Sequence, residues 1–103
     1  MLTTGLSLKD KTFEKIKRSG VIPYVIIDGK LHFLLGVDRK SKDLTDFGGS
    51  VKQYESFIDT AYREFTEESC NVFKNVISKR DLLHSVALLD ASKTRALYFV
   101  KLP

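Results

Sequence analysis

The segment GGSVKQYESFIDTAYREFTEE, from Gly48 to Glu68, constrains this chain more than any other. Its second half predicts a helix that sets Glu64, Glu67 and Glu68 within two turns of one another. Like charges three and four residues apart on a helix repel by roughly 0.2–0.5 kcal/mol per pair. These three also sit near the helix C-terminus, where the dipole is already negative. A divalent cation turns that cost into a binding site, because Mg²⁺ and Mn²⁺ favour carboxylate oxygens.

Around the glutamates the pattern is equally definite. Gly48 and Gly49, after the apolar Phe47, predict a turn that exploits the freedom of glycine. Ser56 followed by Asp59 has the form of a capping box, which starts the helix near Phe57. At about 100° per residue, Ile58, Ala61, Tyr62 and Phe65 form one apolar stripe, and the glutamates form another. Acidic helix faces are often solvated surface, and Glu67 has Arg63 four residues earlier as an ion-pair partner. For three glutamates alone that plainer account is favoured. The register of Gly49, Glu55 and Arg63 with them reverses the preference.

Gly49, five residues, Glu55, seven residues, then Arg63-Glu64-Phe65-Thr66-Glu67-Glu68 resembles the Nudix box. The match holds at every specified position through Glu68. It then departs, with Cys70 in place of the expected glycine and Asn71 in place of an apolar residue. The resemblance implies an α/β (α+β) Nudix fold, a mixed β-sheet flanked by helices. It implies a metal-dependent pyrophosphohydrolase that cleaves a nucleoside diphosphate linked to another group, by attack of water at phosphorus. Its cofactor would be Mg²⁺ or Mn²⁺, held by Glu64, Glu67, Glu68 and the Gly49 carbonyl. Glu64 is also a candidate base. Arg63 would orient a box glutamate, and Glu55 would support the loop–helix geometry.

The context PYVI…FLLGVDR…LTDFGG…TAYREFTEES is similar to Nudix proteins of large DNA viruses, some of which act on RNA caps. A nucleotide or RNA cap is therefore the expected substrate, with a diphosphoinositol polyphosphate as the alternative. A non-catalytic polyanion- or RNA-binding module on the same fold is the competing class, since fold does not guarantee function.

Charge supports a phosphate-rich ligand. The net charge is +4, and Arg39, Lys40 and Lys42 crowd the loop before the glycines, where basic groups steer polyanions. Arg39 and Lys40 are the candidate phosphate contacts. The other basic run, Lys9 to Arg18, is interrupted by Asp10 and Glu14. There Leu8, Phe13 and Ile16 predict a short packed helix. A length of 103 residues gives room for a single domain, 1–103. One cysteine, Cys70, excludes an internal disulfide and suits a reducing compartment, so a cytoplasmic or nuclear location is expected. No apolar run approaches the ~20 residues that span a membrane.

The remaining pattern is strand-rich. Val21 to Ile27 predicts a strand, with Pro23 at its start or at a sheet edge. Asp28-Gly29 predicts a hairpin turn, with Leu31 to Val37 returning. Leu44 to Phe47 predicts a short strand, and Val72 to Ile77 has helical spacing. Leu82 to Leu89 and Arg95 to Leu102 predict a strand pair across Asp90 to Lys93. His32 and His84 are isolated and carry no assigned chemistry. After Glu68 the only acids are Asp81 and Asp90, whereas many Nudix enzymes draw a further glutamate from beyond the later strands. The C-terminal part of the domain is accordingly expected to be incomplete. The apolar final strand is expected to be an open edge that pairs two copies into a homo-oligomer.

Overall fold

The computed structural model describes residues 1–9 and 16–103. The chain begins with β1 (Leu2–Thr4) and α1 (Gly5–Lys9) and enters the long strand β2 (Arg18–Ile27). β3 (Lys30–Phe33), β4 (Gly36–Val37), β5 (Leu44–Thr45) and β6 (Phe47–Ser50) follow. α2 (Phe57–Glu68), α3 (Lys79–Leu83), β7 (Val86–Leu89) and β8 (Arg95–Lys101) complete it. The main sheet is mixed, with order β1-β7-β8-β2-β3. β8 runs parallel to β2, and β6 pairs antiparallel with the first half of β2.

β2 organises the molecule because it is paired along both sides. Its N-terminal half meets β6, from Arg18↔Ser50 to Val21↔Phe47, and its C-terminal half meets β3, from Tyr24↔Phe33 to Ile27↔Lys30. The β2–β3 turn is Asp28-Gly29, both with positive φ (51° and 75°), as a two-residue turn matching strand twist requires. Pro23 lies in the middle of this interior strand rather than at a start or an edge. It falls at the junction where β6 ends and β3 begins. Its carbonyl accepts from Leu34 N–H at 2.9 Å, and the N–H it lacks faces the same side, where the β3 ladder ends, so the missing donor falls at the end of a ladder rather than within one.

The core lies between the sheet and the helices. Along β8, Ala96, Tyr98 and Val100 are buried and alternate with more exposed neighbours, the period of two that a strand imposes. Phe65 of α2 meets Phe47 edge-on at 5.8 Å and stacks on Phe73 at 5.5 Å. Leu8 and Leu82 bring α1 and α3 into the same cluster.

Several local expectations are corrected. Gly48 and Gly49 do not turn: they are paired strand residues of β6. Leu31 to Val37 is not one strand, because Gly36–Val37 leaves to form a separate two-stranded ribbon with Leu44–Thr45. Val72 to Ile77 is a run of turns, not a helix. The helix comes next, at Lys79–Leu83, and takes Leu82 and Leu83 out of the expected strand. Its capping box is complete: Ser78 Oγ accepts from Asp81 N–H, and Asp81 accepts from Ser78 N–H at 2.7 Å. The final strand is not an open edge. β8 is hydrogen-bonded to β7 on one side and to β2 on the other, which removes the ground for a homo-oligomer through it. Leu8 and Ile16 are buried as expected, while Phe13 lies outside the described residues. Among the described residues no helix is long and apolar enough to cross a membrane.

Candidate functional site

α2 is held at its N-terminus by a polar clasp. Ser56 Oγ accepts from Asp59 N–H at 3.2 Å. The Asp59 carboxylate reaches across to Lys79 at 2.8 Å, tying α2 to α3. Just before the cap, Glu55 accepts from Thr60 Oγ1 at 2.6 Å and from Arg63 through Nε (2.8 Å) and Nη2 (3.0 Å). The Arg63 guanidinium, with lesser help from Thr60 and Lys52 N–H, lowers the Glu55 carboxyl to about 2. The pairing raises Arg63 in turn. Arg63 also donates Nη1 to Glu64 at 2.8 Å and stands 3.5 Å from Glu67. One arginine thus joins the loop carboxylate to two helix carboxylates.

The β6 glycines are needed for close approach rather than for unusual backbone angles. A β-carbon on Gly49 would come within 2.5 Å of the Glu64 carboxyl carbon. On its neighbour, Gly48 N–H is directed at the Glu68 carboxylate and favours its charged form. Strand residues alternate in direction. Val51 N–H is given to Lys17 of the incoming β2 chain, so Gly49, two residues earlier, also turns its amide groups towards β2. Gly48 faces outward with Glu68. By that alternation the Gly48 carbonyl, rather than that of Gly49, is directed to the side of Glu68. Partial burial, then Glu64, then Asp46 push the Glu68 carboxyl up from its ordinary value.

The C-terminus of α2 explains the departure at Cys70. Cys70 N–H bonds the Glu67 carbonyl at 3.1 Å and Asn71 N–H bonds the Thr66 carbonyl at 2.9 Å. This is the paired arrangement of a Schellman cap, with Cys70 at the left-handed position (φ 56°). The chain keeps the geometry that a glycine would give here, using a residue that is strained in it.

Glu67, Glu68, Gly48 and Cys70 line a cleft of about 730 Å³. Arg39 and Lys40, from the turn between β4 and β5, line the same cleft, as does Arg18. Asp38 fixes that turn by accepting from Lys40 N–H and Ser41 N–H, both at 2.9 Å. The fold therefore brings together the acidic helix end and the basic loop that the sequence offered separately. His32 is on β3 and His84 caps α3, and neither lines this cleft. Sequence reasoning missed Arg18 and Asp46, which meet across 28 residues and carry no local motif.

The donor set suits a hard divalent cation, being carboxylate oxygens beside a strand carbonyl. Partial burial first, and the neighbouring Glu64 and Asp46 after it, disfavour the charged form of Glu68, a cost that a bound cation would offset. Among the described residues, no three such side chains are gathered as a formed ion site. Arg63 holds Glu64 at 2.8 Å, while Glu67 stands 3.5 Å from Arg63 with its side chain 61% exposed.

A mixed sheet with the Gly49–Glu68 strand–loop–helix packed on it is the Nudix fold. Two crystal structures of C. elegans Ap4A hydrolase, a Nudix enzyme, share it. One has a TM-score of 0.57 and 22% sequence identity, covering 84% of this chain and 67% of that one. The other, a binary complex, has a TM-score of 0.59 and 22% identity, covering 84% and 66%. The present chain spans about two thirds of their length. No protein-family model and no curated protein sequence matches it, and neither neighbour bears on the likeness to viral proteins.

Proposed function

We propose that this chain is a Nudix-type hydrolase acting on phosphoanhydride bonds. Its substrate would be a nucleoside diphosphate linked to another group. The observation that carries this is the meeting of Glu67, Glu68 and Gly48 with Arg39 and Lys40 in one cleft, on a fold shared with an Ap4A hydrolase.

Glu64, Glu67, Glu68 and the Gly48 carbonyl would hold Mg²⁺ or Mn²⁺. When bound, the cation supplies charge for the phosphoryl oxygens and lowers the pKa of the attacking water. The chain's own residues do the rest. Arg63 fixes the direction of Glu64 and holds it as a candidate base. Arg39 and Lys40 take the outer phosphates. Partial burial keeps Glu68 short of hydration, so it gains from a cation more than an exposed carboxylate would.

Within this class a dinucleoside polyphosphate or an RNA cap is the leading substrate. The Arg39–Lys40 wall and the net charge of +4 also favour a phosphate-dense ligand such as a diphosphoinositol polyphosphate. Phosphate release should be measured with Mg²⁺ and with Mn²⁺ on all three substrates. Metal-dependent release from one or more supports the proposal. Binding to all without release assigns the chain to the non-catalytic polyanion-binding class.

A further inference from the structure

The cleft carries a second built element, away from the box. Arg18 opens β2 and Asp46 immediately precedes β6, and Arg18 Nη1 donates to Asp46 Oδ2 at 2.7 Å. The Asp46 side chain is only 9% exposed. It lies over Gly20 and Gly48, which face each other in the β2–β6 register. A β-carbon on Gly48 would come within 2.5 Å of Asp46 Oδ2, and one on Gly20 would overlap the same atom. Two opposed glycines thus leave a slot shaped for a carboxylate. Thr45 Oγ1 donates to the other oxygen at 3.0 Å.

The consequence falls on Arg18. One nitrogen is anchored, and the side chain remains 30% exposed on the cleft wall. Among the described residues its other N–H groups make no hydrogen bond. A guanidinium fork matches phosphate oxygens in pairs, and holding one prong reduces the freedom lost when the others bind. Arg18 shares the cleft wall with Glu67 and Glu68, and Glu64 and Glu68 lie within electrostatic reach of it, so a phosphate held by Arg18 stays in the cleft that the helix carboxylates line.

We propose that Arg18 is the cleft's fixed phosphate-binding fork and that Asp46 is its positioning residue. The inference rests on the polyphosphate reading of the cleft. It differs from that reading in what it requires, which is a rigid cation on β2 rather than the loop cations alone.

Binding of inorganic tripolyphosphate, measured by calorimetry without divalent metal, tests it. Arg18→Ala should weaken binding by about tenfold or more, the scale of a lost charge-assisted pair. Asp46→Asn should weaken it in the parent and have little further effect on Arg18→Ala, a coupling that general loosening of the fold would not give. Melting temperatures are recorded for each variant. If Arg18→Ala does not fold, Arg18→Lys decides, since it keeps the charge and loses the fork. A severalfold loss supports the proposal. Unchanged affinity in the arginine variant, or equal effects of Asp46→Asn in both backgrounds, overturns it. A chain that binds tripolyphosphate through Arg18 yet hydrolyses nothing would uphold the fork and refute the hydrolase.

Discussion

The carboxylate of Glu64 rests against the α-carbon of Gly49, with no room for a side chain between them. A helix residue and a strand residue from opposite ends of the motif are thereby locked together. The glycine is required by that contact, since its backbone is ordinary strand. Gly49→Ala should push the carboxylate off its bond with Arg63 and cost about 1 kcal/mol, the scale of one lost hydrogen bond. Urea denaturation measures the loss. An alanine variant as stable as the parent would show that Glu64 moves aside freely.

Glu68→Gln should behave oppositely in the metal-free protein. The charged form is opposed by partial burial and by Glu64 and Asp46. Removing the charge should leave stability unchanged or raise it by a few tenths of a kcal/mol, while metal-dependent turnover is lost. Its test is a pair of readings, a melting curve in EDTA and a rate in Mn²⁺. A marked fall in the melting temperature would mean that Glu68 holds the fold rather than a ligand.

Cys70→Gly should stabilise the protein by about 1 kcal/mol, because glycine takes the left-handed position without strain. For a domain of this size that is roughly 4–8 °C in melting temperature. Both cap hydrogen bonds are made by backbone atoms and survive the change. A destabilised variant would mean that the Cys70 side chain supports the helix end.

The Glu55–Arg63 pair sets a pH dependence with a definite sign. Glu55 is depressed from 4.5 to about 2 in the folded chain, so its contribution is present above pH 4.5. That contribution is lost as pH falls from there through about 2. Glu55→Gln should flatten the stability profile within this window and be less stable than the parent at neutral pH. Denaturation at pH 6, 4 and 3 compares the two slopes. Parallel slopes would show that the pair contributes nothing to acid stability.

Much of the α2 segment was legible because its signals are local. Ser56, the apolar stripe and the glutamate spacing fix helix, face and register within a dozen residues, and Asp28-Gly29 fixes a hairpin in two. The Ser78–Asp81 box carried the same signal as Ser56–Asp59, yet the apolar run after it suggested a strand. Other features depend on partners distant in sequence. Two glycines look like a turn until β2 is placed opposite them, and Pro23 looks misplaced until the β6–β3 junction is seen. The interior position of β8 depends on its parallel partner, and the Arg18–Asp46 pair on both strands at once. Neither leaves a mark in a single window.

The most direct test of the account is the rate of phosphoanhydride hydrolysis of a dinucleoside polyphosphate. It is measured with Mg²⁺ or Mn²⁺ and with EDTA, for the parent, Glu67→Gln and Glu68→Gln. Turnover should require metal and fall by at least about a hundredfold, some 2.7 kcal/mol of barrier, in both variants, with melting temperatures in EDTA unchanged. Hydrolysis that persists in EDTA, or variants as fast as the parent, would contradict the assignment of the α2 carboxylates to a catalytic metal site.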